Sequence, residues 1–373
     1  MDPLSHLRAA LDELESAGLR RRTPSPHSGI SYCSNDYLGL AGRRLAESSA
    51  PIGSGASRLI AGEDAAHGEL EGAIASWLGV EAALLFTSGY AANVGVVSAL
   101  AGPGDLVVSD ALNHASLIDG ARLSRARVAV TPHNDLGAVR TALAGRTEAH
   151  AFVVVESYYS MDADGPDLRA LRAVCDEHGA ALVVDEAHAL GVLGPAGLGR
   201  CAEAEVSPDV LVGTLGKSFG GQGAFAAGAP VVREWLWNKA RSFVFSTGLS
   251  PALAEAALES LVVMEMRPEL RARTLARAMQ LREGLAVAAR GTDLRVMGFG
   301  HVVPLLVGAT SEALRLARLV HDEGVAIPAI RPPTVPQGSA RLRFTVTALH
   351  SADDIQVAID ATARAILRWR SAT

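Results

Sequence analysis

Six short apolar runs set the limits on what this chain can fold into. They fall at 82–86, 105–109, 127–130, 151–155, 180–184 and 209–213, separated mostly by helix-like segments. Several are unbroken, as in Ala180-Ala181-Leu182-Val183-Val184, which marks strands covered on both faces. Alternating β and α elements predict an α/β fold with a doubly wound, mainly parallel sheet. Ligands in such sheets bind beyond the carboxyl ends of the strands. Chemistry is therefore to be sought where each run stops.

The 209–213 run leads into Thr214-Leu215-Gly216-Lys217-Ser218-Phe219-Gly220-Gly221-Gln222-Gly223, a lysine among small residues. A solvated loop lysine is the ordinary reading, since lysine is almost never buried unpaired. A phosphate loop of the G-x-x-x-x-G-K-S type is a second reading, and the upstream glycine it needs is missing. A third reading comes from the neighbouring run, which ends in Asp185 with His188 three residues on. Pyridoxal phosphate needs a lysine for its Schiff base and an acid against its pyridinium nitrogen. Lys217 and Asp185 are the matching pair.

Other strand ends carry similar signals. Thr87-Ser88-Gly89-Tyr90-Ala91-Ala92-Asn93 opens a helix, whose free amides and dipole suit a phosphate dianion or simply a serine cap. Asp110-Ala111-Leu112-Asn113-His114-Ala115-Ser116 places a histidine after the second run. Near the C-terminus, Ile327-Pro328-Ala329-Ile330-Arg331-Pro332-Pro333-Thr334-Val335-Pro336 is a stiff extended arm, because each proline fixes φ. A guanidinium held on such an arm can grip a carboxylate through two parallel hydrogen bonds.

This constellation resembles the α-oxoamine synthase family of fold-type I pyridoxal-phosphate enzymes. The likeness runs from Leu19-Arg20-Arg21-Arg22 and Asn35-Asp36-Tyr37-Leu38-Gly39 to Phe344-Thr345-Val346-Thr347-Ala348-Leu349-His350. It implies that Lys217 carries the cofactor and moves the substrate's α-proton, that Asp185 faces the pyridine nitrogen, and that His114 stacks on the ring and meets substrate. Gly89, Tyr90 and Thr214 are implied at the phosphate, His188 at the ring oxygen, and Ser160 nearby. Ser246 and Thr247 would reach the phosphate of a neighbouring subunit, giving a homodimer with shared active sites. Arg331 would hold the amino-acid carboxylate, with Thr334 and Arg20 as further substrate contacts. The arm and the string Gly338-Ser339-Ala340-Arg341-Leu342-Arg343 are most similar to members that join L-alanine to a pimeloyl thioester (coenzyme A or carrier protein) for biotin synthesis. Sister activities, with glycine and acetyl or succinyl thioesters or of the serine palmitoyltransferase kind, share the same core residues and stay open; the entry signature and His114-Ala115-Ser116-Leu117 speak against an ordinary aminotransferase.

Length and composition bound the rest. A chain of 373 residues, about half of them hydrophobic, has room for a large domain and a satellite. The expected division is an N-terminal helix and arm at 1–40, a large cofactor domain at 41–265 and a smaller α+β domain at 266–373. A net charge of −6 argues against nucleic acid as partner. No apolar run reaches the roughly 18 residues a membrane span requires. Residues Met1–His6 lack a basic and apolar leader, and a cytoplasmic enzyme is expected. The odd, scattered cysteines Cys33, Cys175 and Cys201 are expected to be packing residues, and no metal site is expected.

Overall fold

A computed structural model describes residues 3–21, 29–43 and 50–371; Arg22 of the arginine triplet lies outside them. The chain divides into two compact units. One comprises Asn35–Ser160 and Asp164–Thr274; the other comprises Met1–Ser34, Met161–Ala163 and Leu275–Thr373.

The first unit is built on seven strands: β1 (Ala82–Phe86), β2 (Leu106–Asp110), β3 (Arg127–Thr131), β4 (Ala151–Glu156), β5 (Ala181–Asp185), β6 (Val210–Thr214) and β7 (Ala224–Gly228). Their order across the sheet is β1-β7-β6-β5-β4-β2-β3. Pairings from β6 through β3 are parallel, and only β7 runs antiparallel to both its neighbours. Alternation within the apolar runs decides which side each residue serves. Val107, Val154 and Val183 pack into one core, while Val108, Val153, Val155, Leu182 and Val184 pack into the other. Each such buried aliphatic contributes roughly 1.5–3 kcal/mol. The sheet thus has a core on both faces, and its polar groups gather at the strand ends.

Six of these strands follow the six apolar runs to within a residue at each end. The seventh, Ala224-Phe225-Ala226-Ala227-Gly228, was not expected, because alanine and glycine are poor strand formers in isolation. The buried Ala224, Phe225, Ala226 and Ala227 pair with β1 and β6, and Phe225 packs over Gly213 of β6, where a Cβ would lie 2.2 Å from its ring. Helices α2 (Ala65–Leu78) and α3 (Gly89–Leu100) flank β1, α4 (Ala115–Ser124) follows β2, α5 (Leu136–Ala144) follows β3 and α6 (Leu168–Glu177) follows β4. Their starts are capped as their sequences suggest, by Asp64, Ser88, His114, Asp135 and Asp167.

The second unit holds a four-stranded antiparallel sheet of β8 (Arg295–Val296), β9 (Val302–Gly308), β10 (Ala329–Ile330) and β11 (Ala340–Thr345), in the order β10-β11-β9-β8. Its core gathers Leu281, Leu285, Leu305, Leu316, Leu342, Phe344 and Ile355. Arg341 is 2% exposed, and its charge is matched by Asp162 at 2.6 Å and the Met161 carbonyl at 2.8 Å. The helix at Ser5–Ser16 ends on Gly18 at φ +65°, as the glycine predicts, and leaves Leu4, Leu7, Leu11 and Leu14 exposed. Cys175 and Cys201 are buried. Cys33 is not a packing residue: it is exposed at a strand edge, with its thiol toward the Ala326 carbonyl at 3.6 Å. Among the described residues no helix is long and apolar enough to cross a membrane, and no metal-ligand cluster occurs.

Candidate active site

An open cavity lies at the carboxyl ends of β1, β2, β4, β5 and β6, with about 550 Å³ of space that opens to solvent. It is lined by Gly89, Tyr90, Asn93, His114, Ser116, Glu156, Asp185, Ala187, His188, Thr214 and Lys217. Seven of the residues singled out from the sequence meet here, drawn from four separate segments.

Alternation at the end of β5 settles which acid serves the cavity. Asp185 lines it, and its carboxylate accepts hydrogen bonds from Asn93 Nδ2 at 2.6 Å and the Ala187 amide at 2.8 Å. The adjacent Glu186 is held elsewhere, by Ser157 Oγ at 2.6 Å and the amides of Cys201 and Arg200 at 2.6 and 3.1 Å. Asn93 also donates to Ser116 Oγ at 3.0 Å, and Ser116 meets His114 Nδ1 through its hydroxyl at 2.7 Å and its amide at 3.2 Å. A backbone N–H can only donate, so Nδ1 accepts and a neutral His114 carries its proton on Nε2. The protein around the ring lowers the His114 pKa; the Asp185 charge opposes this and the Lys217 charge reinforces it. A neutral, oriented imidazole results.

Glu156 ends β4 directly beside Asp185 and accepts the His114 amide at 2.7 Å. Burial holds its carboxyl well above the ordinary carboxylate range; the Asp185 charge adds to the rise and the Lys217 charge opposes it. His188 Nδ1 lies 2.6 Å from the hydroxyl of Tyr37, so the signature residue Tyr37 fixes the imidazole that faces the cavity. At the start of α3, Ser88 Oγ takes the amide of Ala91, leaving the N–H groups of Gly89 and Tyr90 without an acceptor among the described residues. Thr214 Oγ1 lies beside this helix end, donating to the Gly223 carbonyl and accepting the Gly216 amide, both at 3.2 Å.

The donor set fits pyridoxal phosphate. Two unsatisfied amides at a helix N-terminus suit a phosphate. A buried carboxylate with only two donors retains acceptor capacity for a ring N–H. A lysine and two oriented imidazoles complete the lining.

Sequence reasoning passed over Asn93, Ser116 and Glu156. Only Glu156 left a signal, as an acid at a strand end like Asp185. Ser160 is buried in the loop after β4 and is not part of the lining. Ser246 and Thr247 line a second, smaller cavity of about 220 Å³ with Arg58 and Thr87. Arg20, Arg331 and Thr334 come together in the other compact unit. There Arg331 Nη2 donates to the Arg20 carbonyl at 3.2 Å, and Arg21 Nη2 reaches Thr334 Oγ1 at 3.4 Å. The Arg20 guanidinium itself lies 3.6 Å from Glu15.

Comparison with known proteins agrees with this geometry. The family model described as aminotransferase class I and II matches residues 28–361. The 8-amino-7-oxononanoate synthase of Paracidovorax citrulli (strain AAC00-1) is 43% identical over 99% of this chain and 96% of its own length. That of Mycobacterium sp. (strain JLS) is 43% identical over 96% of this chain and 95% of its own. Among solved structures, Sphingomonas wittichii serine palmitoyltransferase superposes with a TM-score of 0.90 at 27% identity, covering both chains in full. The 8-amino-7-oxononanoate synthase of Francisella tularensis gives 0.78 at 26% identity, over 91% of this chain and 98% of its own. A serine palmitoyltransferase structure with a TM-score of 0.88 and 27% identity, covering 99% of this chain and all of its own, is described as containing pyridoxal phosphate. Fold and cavity together define a pyridoxal-phosphate enzyme of fold type I. Within that class the chain belongs to the 8-amino-7-oxononanoate synthase family, whose members are acyltransferases of biotin biosynthesis.

Proposed function

We propose that this chain condenses L-alanine with a pimeloyl thioester, giving 8-amino-7-oxononanoate, carbon dioxide and the free thiol. The observation that carries the reading is the full-length 43% identity to enzymes of that name, over a chain whose cavity residues suit the chemistry. Pyridoxal phosphate, when bound, supplies the sink for the electron pair left on the α-carbon of alanine. Lys217 would hold it through Nζ and, when free, would take the α-proton of alanine and later return one. Asp185 keeps a proton on the pyridine nitrogen, because the two charges stabilise one another. His114, neutral, covers the ring and meets substrate with its Nε2–H. His188 would donate toward the ring oxygen and Gly89, Tyr90 and Thr214 would hold the phosphate, while Ser160, outside the lining, would act only from behind it.

Arg331 is proposed to hold the alanine carboxylate, with Thr334 beside it and Arg20 reaching the pimeloyl chain. The thioester carrier, coenzyme A or a carrier protein, is left as two alternatives. In a product assay pairing alanine or glycine with pimeloyl- or acetyl-coenzyme A, alanine with pimeloyl should turn over fastest. A methyl group in a fitted pocket discriminates by only about 1–3 kcal/mol, so the preference for alanine over glycine should be modest. Faster turnover of glycine with acetyl-coenzyme A would overturn the substrate reading.

Ser246 and Thr247 are proposed to serve the phosphate of a second copy, since they do not line the Lys217 cavity of their own chain. Mixing Lys217→Ala with Thr247→Ala protein should then restore activity, because each hybrid dimer has one site free of both lesions. Hybrids no more active than the two parents would mean unshared sites.

A further inference from the structure

One charged cluster lies just outside the cavity and has no part in the chemistry above. His133 follows β3 and is not among the residues lining the cavity. Its Nδ1 lies 2.9 Å from Asp110 Oδ1, and its Nε2 lies 3.1 and 3.2 Å from the two carboxylate oxygens of Asp164. With a carboxylate against each nitrogen both donate and the ring is an imidazolium, which turns the Asn134 amide, whose Nδ2 is placed 3.0 Å from Nε2, so that its oxygen faces the ring. Tyr159 meets that ring edge-on, with centroids 4.6 Å apart, and Asn134 stands beside Nε2. Burial alone would lower the His133 pKa; the hydrogen bonds and charges of Asp110 and Asp164 overcome it and raise the value to about 10.

The two carboxylates belong to different turns. Asp110 ends β2, and its side chain accepts the amides of Leu112 and Asn134, both at 2.8 Å, which shapes the turn leading into His114. Asp164 closes the loop after β4, where its carbonyl accepts the Tyr159 amide at 2.8 Å. Tyr159 in turn donates to Asn113 Oδ1 at 3.1 Å and accepts the Glu156 amide at 3.2 Å. Both paths converge on the contact from the His114 amide to Glu156.

We infer that His133 is a positioning residue: its charge clamps the turn presenting His114 to the loop that follows Glu156, and so fixes the cavity wall formed by His114 and Glu156. The inference rests on the reading of that cavity as the cofactor site. Its charge is present below about pH 10 and fades as pH rises through that value, so the clamp holds across the neutral range.

The test uses the holoenzyme with L-alanine and pimeloyl-coenzyme A, and three variants: His133→Gln, Asp164→Asn and His114→Ala. Misplacement by about 1 Å can cost on the order of a hundredfold, so His133→Gln should lower kcat about ten- to a hundredfold, with the pimeloyl KM within about twofold. The visible circular dichroism of the bound cofactor should weaken in parallel. Nitrogen-15 resonances of His133 should report a doubly protonated ring through pH 9 in the parent protein. In Asp164→Asn, where the replaced side chain is more than a third exposed, the ring should titrate lower and kcat should fall less; this variant decides the matter if His133→Gln does not fold. A neutral His133 at pH 8 in the parent overturns the inference. So does a full loss of activity in His114→Ala alongside unchanged kcat and dichroism in the clamp variants. Unchanged turnover in His114→Ala overturns the reading of the cavity itself, and the inference with it.

Discussion

Lys217→Ala should abolish turnover while leaving a folded protein that still takes up pyridoxal phosphate. The separation of the two effects follows from the cavity. Phosphate recognition is proposed to lie at the start of α3, where the Gly89 and Tyr90 amides lack acceptors among the described residues, and none of that depends on the lysine. Proton transfer at the α-carbon is proposed to depend on it, and no other lysine lines the cavity. A loss of at least about a thousandfold is expected, equivalent to about 4 kcal/mol at roughly 1.4 kcal/mol per factor of ten. The variant should also move its neighbours: the Lys217 charge now lowers the His114 pKa and restrains the rise at Glu156, so removing it should raise both. Borohydride reduction of the parent holoenzyme followed by peptide mapping gives a sharp check, because the chain contains only two lysines, Lys217 and Lys239. Lys239 ends an exposed helix, beside the Trp235 ring. Label on Lys239 would remove Lys217 from the chemistry.

How much of this was legible beforehand depends on whether a residue's role is set by its own strand or by another. Lys217, Asp185, His114 and Gly89 announce themselves because each follows a run whose apolar character fixes it as a buried strand. The parallel architecture then places every such end on one edge. Strand β7 stayed hidden because its alanine-rich run has little strand preference of its own and is held by pairing with β1 and β6 on both edges. Asn93 looks like any polar residue one turn into a helix. It acquires a role when α3 docks and its amide spans Asp185 and Ser116. His133 is more hidden still, since its two carboxylates come from 23 and 31 residues away. Arg20 shows the reverse difficulty. The arginine triplet is plain in the sequence, yet within its own unit Arg21 approaches Thr334, while the Arg20 guanidinium lies near Glu15.

Asp185→Asn should keep the fold and lower the rate by orders of magnitude. The carboxylate accepts from both Asn93 Nδ2 and the Ala187 amide, and an amide in its place can accept through only one of its two ends. One hydrogen bond to a charged acceptor is therefore lost, worth about 1.5–3 kcal/mol, which a domain with two well-filled cores tolerates. Catalysis is more sensitive. With Asp185 facing the pyridine nitrogen as proposed, a neutral amide would give that nitrogen no charge to hold its proton, and removal of the α-hydrogen would slow. A loss of about a thousandfold or more is expected, and it should appear as much in alanine α-proton exchange as in overall turnover, because both require that step. The surroundings should respond in a direction opposite to the lysine variant. The Asp185 charge raises the pKa of both His114 and Glu156, so its removal should lower both. Exchange of the alanine α-proton in heavy water, followed by proton NMR alongside a thermal melt, separates the two contributions. A variant that melts near the parent and exchanges at the parent rate would show that Asp185 is a structural acid, and the pyridine partner would have to be sought elsewhere in the lining.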